Sequence, residues 1–116
     1  MPKKSKQARA HEFSTKARKE IYYRDGASCI FCRMGYHTEG TTWLAKEIKS
    51  VMHYIPRSQG GLGLPQNGAV GCQYHHEMMD NGSHGRREEM RSIFKDYLKR
   101  NYPEWNEDVL IYRKWT

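Results

Sequence analysis

Apolar residues recur at helical spacing near both ends of the chain and crowd into a strand-like run in the middle, with turn-forming residues between. Met90, Ile93, Phe94, Tyr97 and Leu98 repeat at intervals of three and four, which predicts an amphipathic helix over residues 86–100. Such a stripe is core, not a cofactor-binding face. Nearer the N-terminus, Ala17 and Ile21 lie one turn apart, Ser14 or Thr15 stands where a cap belongs, and Gly26 supplies a stop. A helix is therefore expected to run to about Asp25. Residues 41–46 and 48–55 read as two strands, the second rich in Ile48, Val51 and Ile55 and closed by Pro56. Three glycines and a proline make residues 58–65 a loop. After a turn at Asn67 and Gly68, a short helix should begin near Cys72 and finish before Asn81 and Gly82. Residues 102–116, which hold Trp105, Tyr112 and Trp115, are expected to pack back on the domain. The chain contains no internal repeat and no low-complexity segment.

A chain of 116 residues is one domain, near the size at which an apolar core alone gives marginal stability. Its 20 Lys and Arg against 13 Asp and Glu leave a formal net charge of +7, which suits a polyanionic partner. Much of the excess is local: Lys3, Lys4, Lys6, Arg9, Lys16, Arg18 and Lys19 face a single acid, Glu12. Residues 1–13 are accordingly expected to form a basic, flexible arm drawn to phosphate, with residues 14–116 as one domain. His11 belongs with that arm, whereas His37 and His84 read as surface residues. Met1 begins a polar stretch and no long apolar run follows, so neither a signal peptide nor a membrane span is expected, and the location expected is the cytoplasm. Three cysteines suit a disulfide framework poorly, and a reducing compartment would leave all of them as thiols available to a metal.

Those cysteines fall into two short pairs with a histidine: Cys29 with Cys32, and Cys72 with His75. A spacing of two intervening residues lets each pair grip one ion from a tight turn, and together they offer four ligands to a tetrahedral structural Zn²⁺. His76 follows at once and could exchange roles with His75. The repeated interval favours His75 on zinc. On a helix, His76 and Asp80 would share one face and could hold a second divalent ion through one nitrogen and one carboxylate oxygen.

The order of the motifs adds a resemblance. The run from His53 to Gly61, then Gln66-Asn67-Gly68, then Cys72-Gln73-Tyr74-His75-His76 is similar to the HNH endonuclease family, and most of all to small phage-type members with zinc knuckles. The likeness extends over roughly residues 15 to 82, with the motif core at about 27–82 and a C-terminal helical region at 86–116. It implies an α+β fold with a ββα-metal core, a structural zinc and flanking helices. The activity implied is metal-dependent hydrolysis of DNA phosphodiester bonds, on double-stranded DNA. His53 would be the general base, His76 and Asp80 would hold the catalytic ion (Mg²⁺, Mn²⁺, Ni²⁺ or Zn²⁺), and Asn67 would brace the loop beside the base. Arg57 would grip a phosphate. Phage-type relatives further imply terminase and packaging proteins as partners. One departure stands out: relatives commonly carry an acid or histidine before the base, and this chain has Met52, a poor ligand for a hard ion. Two other readings remain: a non-catalytic zinc-ribbon module that binds nucleic acid, and an accessory protein of phage DNA packaging.

Overall fold

The computed structural model describes residues 6–82 and 85–112, with side chains from Arg9 onward. Ser14 is extended and its hydroxyl accepts the Ala17 amide at 3.0 Å, while Gly26 leaves at φ 64°; between these caps helix α2 spans Thr15–Asp25. A shorter helix, α1 (Lys6–His11), precedes it. Cys29 caps the single turn α3 (Ile30–Arg33), and Thr42 caps α4 (Trp43–Glu47). Strands β1 (Lys49–His53) and β2 (Gly68–Cys72) pair antiparallel, with Val51 opposite Val70 and His53 opposite Gly68. Helix α5 (Gln73–Asn81) follows β2 directly, and α6 (Arg86–Asn101) packs beside it. The result is a small α+β fold built on a two-stranded sheet.

Two apolar clusters cover the sheet. Phe13, Ala17 and Ile21 pack on Val51 and Val70, so one face is closed by α2 and the residues just before it. Met52, Ala69 and Tyr54 join Cys29, Phe31, Met79, Met90, Phe94 and Leu98 in the larger cluster under α3, α5 and α6. The pleat explains the division, since successive strand residues point to opposite faces. Gly71 leaves room for Met52: a Cβ there would lie 2.3 Å from the Met52 sulfur.

A buried polar hub joins helices and sheet. Asp25, fully enclosed, accepts two hydrogen bonds from Arg24, one from the Val70 amide at 2.8 Å and one from the Tyr97 hydroxyl. Arg24 also donates to the carbonyls of Pro65 and Gly68, at 2.9 and 2.6 Å. Burial opposes the Arg24 charge, but the bond and charge of Asp25 outweigh it and raise the pKa above its ordinary value. One ion pair thus satisfies backbone groups at the start of β2 and ties α2 to α6.

The structure departs from the sequence expectations in three places. Residues 41–46 are not a strand: Thr42 accepts the Ala45 amide at 3.2 Å and the helix formers Leu44, Ala45, Lys46 and Glu47 continue from that cap. Thr41, Thr42 and Trp43 carry β-propensity, yet among the described residues the sheet has only β1 and β2 and neither pairs with them. The second expected strand keeps its ladder only through His53, because Asn67 takes the Tyr54 amide with its carbonyl and the Ile55 amide with its side chain. Residues 1–13 are not a flexible arm throughout: α1 begins at Lys6, and His11 and Phe13 are buried. The C-terminal stretch packs back as expected, with Leu110 enclosed and the Trp105 indole donating to the Gln66 carbonyl at 2.7 Å. Trp115 lies outside the described residues, as do His84, Lys3 and Lys4. No helix among the described residues is long and apolar enough to cross a membrane.

Asp25→Ala should cost about 3–5 kcal/mol, because it strands a buried guanidinium and a strand amide together. Tyr97→Phe removes one bond and keeps the packing, so about 1 kcal/mol is expected. Urea unfolding at fixed zinc concentration measures both, and equal losses in the two variants would contradict the hub.

Candidate metal centre and histidine groove

Two capping turns converge to make the metal centre. The Cys29 sulfur accepts the Cys32 amide, and the Cys72 sulfur, at the N-cap of α5, accepts the His75 amide, each at 3.5 Å. Both thiols are thereby held at helix starts, facing each other across the end of β2. Cys29, Cys32, Cys72 and His75 each offer one ligand atom, and all four atoms lie within 4.8 Å of one another. The His75 Nδ1 is 3.5 Å from the sulfurs of Cys29 and Cys32 and 3.2 Å from that of Cys72, while Cys32 and Cys72 sulfurs are 3.7 Å apart. A tetrahedral zinc with bonds of about 2.3 Å to sulfur and 2.0–2.1 Å to nitrogen needs ligand separations of about 3.6–3.8 Å. The cluster fits a structural zinc.

The chemistry of the donors agrees with the distances. His75 is enclosed, and its Nε2 donates to the Tyr36 carbonyl at 2.6 Å, which leaves Nδ1 without a proton and free to ligate. Left to themselves, three thiols this close cannot all ionise. The bond with Cys29 pushes the Cys72 thiol up to about 11 and lowers that of Cys29, and burial raises Cys32. A cation at their centre removes that conflict.

His76 does not belong to this shell. It is partly exposed, its Nε2 lies 3.4 Å from the Asp80 carboxylate one turn on, and its Nδ1 is 3.1 Å from the Ser50 hydroxyl. Ser50 thus occupies Nδ1, and Nε2 is the nitrogen beside Asp80.

An open groove of about 920 Å³ collects the remaining candidates: His53, His76, Asp80, Arg57 and Arg18 all line it. His53 lies at the end of β1, its ring on Phe13 with centroids 4.3 Å apart, and its Nε2 donates to the His11 carbonyl at 2.8 Å. The Nδ1 lone pair is what remains for a proton. Burial holds the His53 pKa below the ordinary 6.5 of an imidazole, against the opposing effect of the His11 carbonyl. Asn67 stays out of the groove lining, fully buried: its side chain accepts the Ile55 amide at 2.8 Å and donates to the carbonyls of Ile55 and Leu62. It clamps the backbone two residues beyond His53. Arg57 is exposed and 4.0 Å from Glu12.

Other expectations meet the groove less directly. Lys16, Lys19 and Arg9 are exposed but do not line it. Met52, next to His53, is fully buried in the larger core cluster, so this position faces away from solvent and a ligand placed there would sit among apolar side chains. Arg87 and Arg91 of α6 were not singled out from the sequence, yet both line the groove. Arg87 is fixed by the Met79 and Asp80 carbonyls at the end of α5, and Arg91 lies over the Tyr54 ring at 5.1 Å. Their spacing of four on the polar side of a predicted helix was the available signal.

Removing metal with a strong chelator should lower the melting temperature sharply, and Cys72→Ser should lose zinc and cooperative unfolding together. His75→Ala should lose zinc, whereas His76→Ala should retain it. Zinc content by atomic absorption on the purified variants checks this, and equal losses in the two histidine variants would refute the ligand assignment. Neither a family model, a curated protein nor a solved structure matches this chain.

Proposed function

We propose that the chain is a metal-dependent endonuclease of the HNH type that hydrolyses DNA phosphodiester bonds, with β1, β2 and α5 as its ββα-metal core. The observation that carries the reading is the composition of one groove: a neutral, buried-face histidine, a histidine–carboxylate pair, and the four arginines Arg18, Arg57, Arg87 and Arg91. Arginines suit phosphate oxygens by charge and fork geometry. A groove with four of them and two acids, Glu12 and Asp80, attracts a polyanion.

In this reading His53 takes a proton from water at Nδ1 while the His11 carbonyl retains the one on Nε2. Its depressed pKa keeps it neutral throughout the physiological range. Asn67 fixes the backbone that carries the base. His76 and Asp80 are the residues that would hold a divalent cation, one borderline nitrogen and one hard oxygen, with water completing the shell. When bound, such a cation supplies charge stabilisation to the phosphate and leaving oxygen. Arg57, after β1, and Arg87, on α6, are groove arginines that would hold phosphates of the DNA strand. Phage packaging proteins as partners and a cytoplasmic location remain part of the same proposal.

A second reading, a zinc-stapled module that binds nucleic acid without cutting it, is favoured by Met52. The position that supplies a further ligand in HNH enzymes is here an enclosed methionine, which leaves two protein ligands for the ion.

Plasmid cleavage by the purified chain, across Mg²⁺, Mn²⁺, Ni²⁺ and Zn²⁺ with a chelator control, separates the two. His53→Ala should lower the rate about 100-fold or more with zinc content and DNA affinity retained. The acid limb of the rate profile should fall below pH 6.5, since a base with a depressed pKa loses activity only when pH drops through that lower value. Binding without cleavage under every metal would leave the module reading.

A further inference from the structure

The stretch ahead of α2 is anchored more elaborately than a phosphate-seeking tail requires. Ala10 accepts the Gly63 amide at 2.8 Å, and the His11 ring donates through Nδ1 to the Gly61 carbonyl at 2.7 Å. His11 is itself buried, and its ring lies 5.6 Å from that of Tyr112. Gly63 allows the backbones to meet: a Cβ on it would stand 2.0 Å from the Glu12 carbonyl oxygen. The loop that receives this segment is held from two other sides, by Asn67 at the Leu62 carbonyl and by Leu110 and Tyr112 in short antiparallel pairing. What the anchored segment then does is specific. It turns the His11 carbonyl onto Nε2 of His53 and lays Phe13 on the same ring.

We propose that residues 10–13 are a positioning strap for His53, docked on the glycine loop at residues 60–63, whose backbone carbonyl fixes the imidazole as the Nε2–H tautomer and leaves Nδ1 as the reactive nitrogen. The strap selects one of two tautomers that a free imidazole would interconvert. It also excludes water from one face of the ring. The proposal rests on the reading of His53 as a base, but its structural content does not depend on cleavage.

The groups facing His53 come from every surrounding element: Arg18 from α2, Arg57 from the loop after β1, and His11 from the strap oppose its protonation, while Glu12, His76 and Asp80, and Arg87 and Arg91 from α6, line the same groove. Burial is the largest influence on the ring, ahead of the His11 bond, so undocking the strap should move the pKa upward towards 6.5. Gly63→Ala displaces the strap at the Glu12 backbone while substituting no side chain that lines the groove. His11→Ala removes its anchor to Gly61, and His11→Asn restores a side-chain donor.

Nitrogen-resolved spectra of the histidine rings in the zinc-loaded full chain test this directly. The unaltered chain should show His53 as a single Nε2–H tautomer. Gly63→Ala and His11→Ala should show mixed tautomers and a raised His53 pKa with full zinc content, and His11→Asn should revert towards the unaltered values. In plasmid cleavage, the two disruptive variants should lose roughly ten- to hundredfold in kcat, with KM within about twofold, because misorientation of the base acts on the chemical step. A single unchanged tautomer in either folded variant overturns the strap. A fixed tautomer in a chain that cuts no DNA supports the strap and overturns the nuclease reading alone.

Discussion

Everything in this fold hangs on the convergence of Cys29, Cys32, Cys72 and His75. The two cysteines at the start of α3 precede the sheet, and the other pair follows it, so a shared ion would close the whole intervening chain into one loop. That loop includes β1, the glycine-rich connection and β2. A two-stranded sheet is barely stable alone, and a chain of this length has little core to spare. Zinc binding energy would act as folding energy at the point where α3, β2 and α5 meet. The Asp25 hub carries a complementary load, since its ion pair with Arg24 satisfies backbone groups of β2.

The helices α2, α5 and α6 were legible because their signals are local. Ser14 and Gly26 bracket α2, the apolar stripe of α6 repeats at helical spacing, and Cys72 to His75 announces a turn whatever its role. The cluster that fits a zinc followed from spacing, and His75 and not His76 completes it because its Nδ1 lies within 3.5 Å of all three sulfurs while the Tyr36 carbonyl holds Nε2. What sequence could not reveal is non-local. Residues 41–46 offer strand-forming side chains and a helix cap at once, and tertiary surroundings decide between them. His11 and Phe13 looked like part of a solvated basic tail, because the carbonyl, the ring and the small Gly63 that receive them stand some fifty residues further on. A backbone carbonyl also has no letter in a sequence.

The groove has a physical tension that its composition resolves. Four arginines in one cleft repel one another and would favour unfolding or dispersion unless each is held by something else. Arg87 is pinned by the carbonyls ending α5, Arg18 donates to the Phe13 carbonyl, and Arg91 rests on Tyr54. These contacts offset charge with backbone carbonyls and an aromatic ring, and the four arginines line the cleft with two acids, Glu12 and Asp80. Such an arrangement suits an anionic ligand better than a permanent ion-pair network would. Burial does most to disfavour a proton on His53, and the charges of Arg57 and Arg18 add to it.

The buried methionine then bears on which metal the proposed chemistry could use. Met52 and His53 are adjacent on β1, so the pleat sends them to opposite faces; one fills the space above Gly71 and the other faces the groove. An acid substituted for Met52 would be enclosed among apolar side chains, not delivered to an ion, and its burial would cost stability instead of adding affinity. Any cation at His76 and Asp80 must therefore rely on water and on the phosphate for its remaining ligands. Affinity for the ion and affinity for the substrate become linked quantities in that case, because each supplies ligands or charge to the other. A site of this kind favours ions that accept nitrogen readily over Mg²⁺, which prefers an all-oxygen shell.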